Sequence, residues 1–293
     1  MLSASAERGE IELFLADRIW PDATSSPDQG WVDLLAAEHG ASSQVLDLRG
    51  DPDRSAEIIN EWVSDQTEGL IEDLIDPSGL GGSTVLVLTD AIYFEAKWER
   101  PFGKYGEVAA LFERADGTSV ETSYMVEREL ADLRGSGDGW VAAEIPYRGS
   151  DYSMLVVVPD EGRFDEMRDQ LALTLITEVD QQMTTGPYQL RLPKWDNKSD
   201  IDLLPWLEAI GVAPGSYPLI SPPAFLGGAV HAANIAVDET GTIAAAATGL
   251  VFGESGPAEP ELDVFADQPF LYLIRHRPTG VVLFAGQVMD PTA

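Results

Sequence analysis

Residues 237–256 read VDETGTIAAAATGLVFGESG, and their reading decides the fold. An acidic turn, Asp238-Glu239, meets Gly241 and Thr242, and four alanines follow, Ala244, Ala245, Ala246 and Ala247. From Thr242 to Gly253 the stretch carries no charge and no proline, in a chain otherwise full of acid. Such a segment can enter a β-sheet as a new strand, because proline would remove a ladder donor and a buried charge would cost several kcal/mol. Strand alternation puts Thr242, Ala244, Ala246, Thr248, Leu250 and Phe252 on one face, small first and bulky last. Alanine runs also favour helix. Here Gly241, Gly249 and Gly253 interrupt the run, and its Thr, Val and Phe lean to strand. The segment is conformationally ambivalent, as suits a loop that later becomes a strand.

Around this stretch, alternation predicts strands at 13–20, 43–48, 84–94, 140–145, 153–158, 188–192, 229–237, 270–276 and 281–288. The apolar, β-branched run 84–94 reads as a strand buried on both faces. Helices are predicted at 31–38, 53–67, 164–171 and 199–210. The second has Ile58, Ile59, Trp62 and Val63 on one face behind Asp51-Pro52. Arg277-Pro278-Thr279-Gly280 makes a turn between the last two strands. Strands and helices without a βαβ rhythm give an α+β class. No linker or repeat divides the chain, so 1–293 reads as one domain.

The formal net charge is −32, and the chain has 18 Lys and Arg against 50 Asp and Glu. Nucleic acid and anionic membrane carry the same sign and are poor partners. A lysine-poor acidic surface suits either ordinary solubility or a high-salt environment, where salt screens self-repulsion. There is no cysteine, which excludes disulfides and thiol catalysis. No apolar run approaches the length of a membrane span, and MLSASAERGE reads as no signal peptide.

Catalytic constellations are weak. Gly253-Glu254-Ser255-Gly256-Pro257 resembles a serine-protease nucleophile loop, yet His39, His231 and His276 sit in no catalytic-histidine motif. They also lack metal-ligand spacing. Residues 79–84, GLGGST, precede a strand and lack a phosphate-loop lysine, so they read as a turn. Asn197-Lys198-Ser199 is a glycosylation sequon that reads as a turn before a helix. Trp98 and Phe102 read as core aromatics. No metal or cofactor is implied.

Several segments together resemble the serpin family, in its order. DETGTIAAAATG is similar to the serpin hinge and the start of the reactive-centre loop. Residues 88–102 (LTDAIYFEAKWERPF) resemble the central strand and its turn, and 145–149 (IPYRG) with 153–160 (SMLVVVPD) a strand pair of the rear sheet. Residues 229–234 (AVHAAN) resemble the lead into the hinge, and 267–275 (DQPFLYLIR) with 279–288 (TGVVLFAGQV) the closing hairpin. The resemblance implies a large mixed β-sheet with a second and third sheet, surrounding helices and an exposed reactive-centre loop, with 239–260 as hinge and loop. Residues 11–15 (IELFL) resemble a strand that the family reaches only after several helices, so the resemblance implies that those N-terminal helices are missing. Asp90 stands where the family usually has asparagine. His231 matches the family's shutter histidine, so the two are expected to face each other, and Trp98 falls near the top of the sheet.

The resemblance implies a protease inhibitor and not an enzyme. A serine protease, elastase-like or subtilisin-like before trypsin-like, would attack the loop. The freed Thr242 side would then insert between the strands carrying 84–94 and 229–237, trapping the acyl-enzyme. Glu239, Gly241, Thr242 and Ala244–Ala247 are the hinge in this reading. Family spacing from Glu239 selects the Ser255–Gly256 bond, with Glu254–Ser255 as runner-up. A monomer is expected, and the family suggests an extracellular setting. Two other readings stand open: a non-inhibitory binding or chaperone-like relative, and a truncated, inactive chain.

Overall fold

The computed structural model describes residues 11–25, 27–103, 105–212, 217, 229–242 and 260–292. The expected reactive bond at Ser255–Gly256, its runner-up at Glu254, and the hinge alanines Ala244–Ala247 lie outside these residues. The strands and helices, in chain order, are β1 (Ile11–Pro21), α1 (Gln29–His39), β2 (Ser42–Ser43), α2 (Pro52–Gln66), β3 (Leu86–Lys97), β4 (Glu107–Glu113), β5 (Ser119–Leu130), β6 (Leu133–Gly137), β7 (Trp140–Pro146), β8 (Tyr152–Pro159), α3 (Phe164–Gln170), α4 (Ile176–Gln182), β9 (Thr184–Thr185), β10 (Tyr188–Pro193), β11 (Trp195–Asp202), α5 (Leu204–Ala209), β12 (Val230–Val237), β13 (Gly241–Thr242), β14 (Leu262–Phe265), β15 (Phe270–His276) and β16 (Val281–Val288).

Among the described residues the strands form three sheets. Their orders are β11-β12-β13-β3-β1-β2, β14-β10-β5-β4 and β16-β15-β8-β7-β6-β9. The chain forms two compact units, one of residues 1–12, 95–197 and 235–293, the other of 13–94 and 198–234. The strands β1, β3, β11 and β12 each have residues in both.

In the first unit, β7, β8 and β15 pair antiparallel in series. Their inward Trp140, Ala142, Leu155, Val157, Leu271 and Leu273 meet Phe164, Met167, Leu175 and Val179 from the helical segment beneath. That segment is longer than sequence suggests, because five residues of π-helix, Leu171–Leu175, join α3 to α4. In the second unit, Pro52 opens α2 and the Asp51 side chain accepts from the Arg54 backbone N–H, so both cap signals act. Ala56, Ile59 and Val63 of α2 pack on Trp20, Leu46 and Leu48.

Three expectations change. The 84–94 run is buried on both faces only at its end, where the adjacent Tyr93 and Phe94 are both buried; earlier, Thr89 is buried and takes a hydrogen bond from the Trp20 indole N–H, while Leu88 is 55% exposed. Alternation sends the two parities to opposite faces, and only the Thr89 parity meets the α2 core. The expected 199–210 helix is strand to Asp202, with α5 confined to Leu204–Ala209. The sequon therefore lies inside β11, where the Asn197 amide donates to the Gln287 carbonyl at 3.0 Å. Of the expected 43–48 strand, only Ser42–Ser43 and a bridge at Leu46 form.

Candidate functional site

The expected hinge begins inside the sheet. Gly241 and Thr242 form β13, which pairs antiparallel with β3 (Gly241↔Lys97, Thr242↔Ala96) and with β12 (Val237↔Thr242). A two-residue strand flanked on both sides is held by its neighbours, since two residues alone cannot sustain a strand. Glycine is required at 241. A Cβ there would lie 2.1 Å from the Ala96 carbonyl oxygen.

An acidic turn delivers the chain to this position. One Asp238 carboxylate oxygen accepts from the Thr240 N–H, the Thr240 hydroxyl and the Gly241 N–H, at 2.7, 2.6 and 3.1 Å. Aspartate folding back on its own backbone is a common turn device. The exposed backbone of the turn is then claimed by β3 and its continuation. Trp98 N–H donates to the Thr240 carbonyl at 2.9 Å, and Phe102 N–H to the Glu239 carbonyl at 2.8 Å. The Trp98 indole N–H donates to the Asp238 carbonyl at 2.9 Å.

Beneath the hinge lies a dry aromatic floor. Trp98 and Tyr147 are fully buried and stacked, with ring centroids 4.6 Å apart, and Phe102 meets Trp98 edge-on at 6.2 Å. The Tyr147 hydroxyl shares a 2.6 Å hydrogen bond with the Thr242 hydroxyl, which is also fully buried. Burial raises the Tyr147 phenol far above its ordinary value, so it stays neutral at any physiological pH. Thr242 thus has both its backbone and its side chain satisfied in the sheet.

Glu239 is tied down by charge. Lys194 Nζ lies 2.8 Å from Glu239 and 2.6 Å from Glu107 on β4, and the Ser123 hydroxyl also donates to Glu107. Burial would lower the Lys194 ammonium, but its bonds to the two glutamates outweigh this and raise it. The Lys194 hydrogen bond is the largest influence holding both Glu239 and Glu107 below the usual carboxylate range.

Asp90 and His231 lie in the other unit. Asp90 lies on β3, whose neighbour β1 carries Asp17. Part of Asp90 reaches solvent. Partial burial of its carboxyl, then the Asp17 charge and hydrogen bond, raise it, against His231 of β12 and His39 at the end of α1. The expected groups therefore separate into a dry hinge cluster, with Trp98, Gly241 and Thr242, and a charged one, with Asp90 and His231. Sequence reasoning had singled out neither Lys194 nor Glu107. Tyr147 stood only within a quoted motif, and Asp17 and His39 carried no signal at all.

The described residues therefore form an α+β protein of three sheets, in one of which Gly241 and Thr242 lie between two antiparallel neighbours. The family profile described as Serpin (serine protease inhibitor) matches residues 1–291, and the chain belongs to the serpin family. It is 30% identical over 294 residues to plasminogen activator inhibitor 1 of Sus scrofa, an alignment covering 96% of this chain and 72% of that protein. The native stressed conformation of Arabidopsis AtSerpin1 superposes with a TM-score of 0.83 at 25% identity, covering 100% of this chain and 79% of that one. The complex of thyroxine-binding globulin with thyroxine superposes at 0.82 and 23% identity over 97% of this chain and 77% of that one, which shows the shared fold alone.

Proposed function

We propose that the protein inhibits serine proteases as a suicide substrate, by cleavage of the loop after Thr242 and insertion of that loop into the sheet. The pairing of Gly241–Thr242 between β12 and β3 carries this reading. Insertion needs a strand end already in register, and β13 supplies it. Each residue further along the loop advances one position back along both neighbours. Six positions beyond Thr242, Thr248 arrives opposite Asp90 on β3 and His231 on β12. About 14 inserted residues at ~3.3 Å each would carry the acylated protease roughly 45 Å. Burying Leu250 and Phe252 would add roughly 1.5–3 kcal/mol each. The uninserted fold is then held by kinetics.

Ser255–Gly256 is the proposed reactive bond, with Glu254–Ser255 as runner-up. The target is a serine protease that accepts a small residue, elastase-like or subtilisin-like. Incubation with such proteases should give a band at the summed mass that survives boiling on a denaturing gel. Sequencing the released peptide fixes the bond. Ser255→Arg should move inhibition toward trypsin-like enzymes, and unchanged specificity would exclude this bond. A second reading, a carrier or binding protein, draws on the likeness to thyroxine-binding globulin. Cleavage in the loop without the heavy band would favour it.

A further inference from the structure

In the first unit, a small space opens where β5 and β10 of one sheet come beside β7 of another. About 300 Å³ is unfilled there, part of it open to solvent. Phe102, Leu130 and Ile145, all buried, give it apolar walls. Tyr188 lines the same space and is 1% exposed, yet its hydroxyl has no hydrogen-bond partner. A buried hydroxyl left unpaired costs free energy, and native proteins seldom keep one without a reason. Burial raises the phenol far above its ordinary value, so it stays a neutral hydroxyl able both to donate and to accept. Asp132, Arg100 and Glu127 are among the charged groups acting on it, and all three line the space, so the hydroxyl points into it.

The rim is rich in acid. Arg100 and Asp132 pair at 3.1 Å, and the Arg100 side chain is 53% exposed, so it can turn into solvent. Glu127 accepts from the Arg128 backbone N–H at 2.9 Å and, among the described residues, forms no ion pair. Two carboxylates thus face one guanidinium, in a chain whose formal net charge is −32. An anion would be repelled here. A metal ion asks for more donors than the rim supplies, and no group of three or more His, Cys, Asp or Glu able to hold one occurs among the described residues. A neutral alcohol could meet the hydroxyl but would leave the Glu127 charge unanswered.

We propose that this space binds a small organic cation, a primary ammonium carrying a short hydrocarbon chain. Its head has three N–H donors, and the Tyr188 oxygen, Asp132 and Glu127 supply three acceptors. Its chain lies against Phe102, Leu130 and Ile145, where removing methylenes from water favours binding. The site does not depend on the loop reading above.

The probe is n-butylammonium, with n-butanol and butyrate as matched controls, titrated calorimetrically into the whole chain at low salt. Saturable binding at about 1–20 mM is expected, ordinary for a ligand of so few atoms. Butanol, without charge-assisted bonds, should bind about fivefold more weakly or worse, and butyrate should not bind. Asp132→Asn and Glu127→Gln should each weaken butylammonium by about two- to fivefold, the span that partly exposed ion pairs support. Glu121→Gln, the same change in net charge at an exposed position elsewhere on β5, should leave the affinity unaltered. Equal binding of butanol and butylammonium, or no saturation by about 50 mM, overturns the site. Equal losses for Glu121→Gln and Glu127→Gln overturn it as well.

Tyr188→Phe adds a readout that needs no ligand. The free variant should resist denaturant at least as well as wild type, because the change removes an unpaired buried hydroxyl. It should bind butylammonium about two- to tenfold more weakly, the loss of one hydrogen bond. A clearly less stable variant would mean that the hydroxyl already has a partner. Unchanged affinity would mean that the ammonium does not reach it. Either result overturns the assignment.

Discussion

The hinge cluster and the Asp90 cluster are held by different forces, although β3 and β12 contribute to both. At the hinge, Thr242, Trp98 and Tyr147 are fully buried and their polar atoms are paired within the protein. At Asp90, ionisable side chains of β1, β3 and β12 gather where water reaches them. The first arrangement is strong and indifferent to pH. The second lies at the surface, where interactions between ionisable groups contribute little and are screened by salt.

Trp98→Ala should break the comparison at its strong end. It removes the stacking partner of Tyr147 and the donor to Asp238, and should lower unfolding free energy by about 3–5 kcal/mol, as large-to-small core changes do. Denaturant unfolding measures it, and a loss under about 1 kcal/mol would mean that the floor is not a packed core.

Gly241→Ala comes next. Its Cβ would meet the Ala96 carbonyl, so β13 must shift or leave the sheet at a cost of about 1–3 kcal/mol. Limited proteolysis at residues 241–243 should quicken, and an unchanged cutting rate would show that the hinge is not gripped there.

Tyr147→Phe sharpens the contrast, because it leaves the Thr242 hydroxyl buried and unpaired at a cost of about 1–3 kcal/mol. That loss should be the same at pH 5.5 and pH 8, since the Tyr147 phenol stays neutral throughout. A loss that varied with pH would tie the hinge to the charged cluster.

Lys194→Met should have the smallest effect, about 0.2–1 kcal/mol, because the ion cluster is partly exposed. Glu239 and Glu107 sit below the usual carboxylate range, so their contribution is present above that range and fades as pH falls through the lowered values. Lys194 is raised, so its contribution is present below the ordinary lysine value and fades as pH rises through the raised one. The difference between variant and wild type should therefore hold across neutral pH, shrink at both extremes and shrink with added salt. A salt-independent difference would point to packing by the lysine stem.

Much of this was legible in the sequence because local rules act over a few residues. Strand periodicity located β7, β8, β10, β15 and β16, and Asp51-Pro52 announced α2. The neutral, proline-free run after Thr242 lies outside the described residues. Other features were hidden because their partners lie far apart in the chain. Tyr147 and Thr242 are separated by 95 positions. Lys194 serves glutamates on either side of it in sequence. The first part of the 84–94 run misled because its pattern describes side chains and cannot say which face a neighbour covers. The sequon misled because a strand and a turn share its polar residues.

By itself, then, the sequence determined the α+β class, the serpin resemblance and the acidity, since each follows from residue type and near-neighbour spacing. Only the tertiary structure decided that Gly241 and Thr242 already form a strand between β12 and β3. It alone put Tyr147 beneath Thr242 and set β3, with Asp90, beside β1, with Asp17. Those outcomes depend on strand order and register, which long-range packing sets and no local pattern encodes.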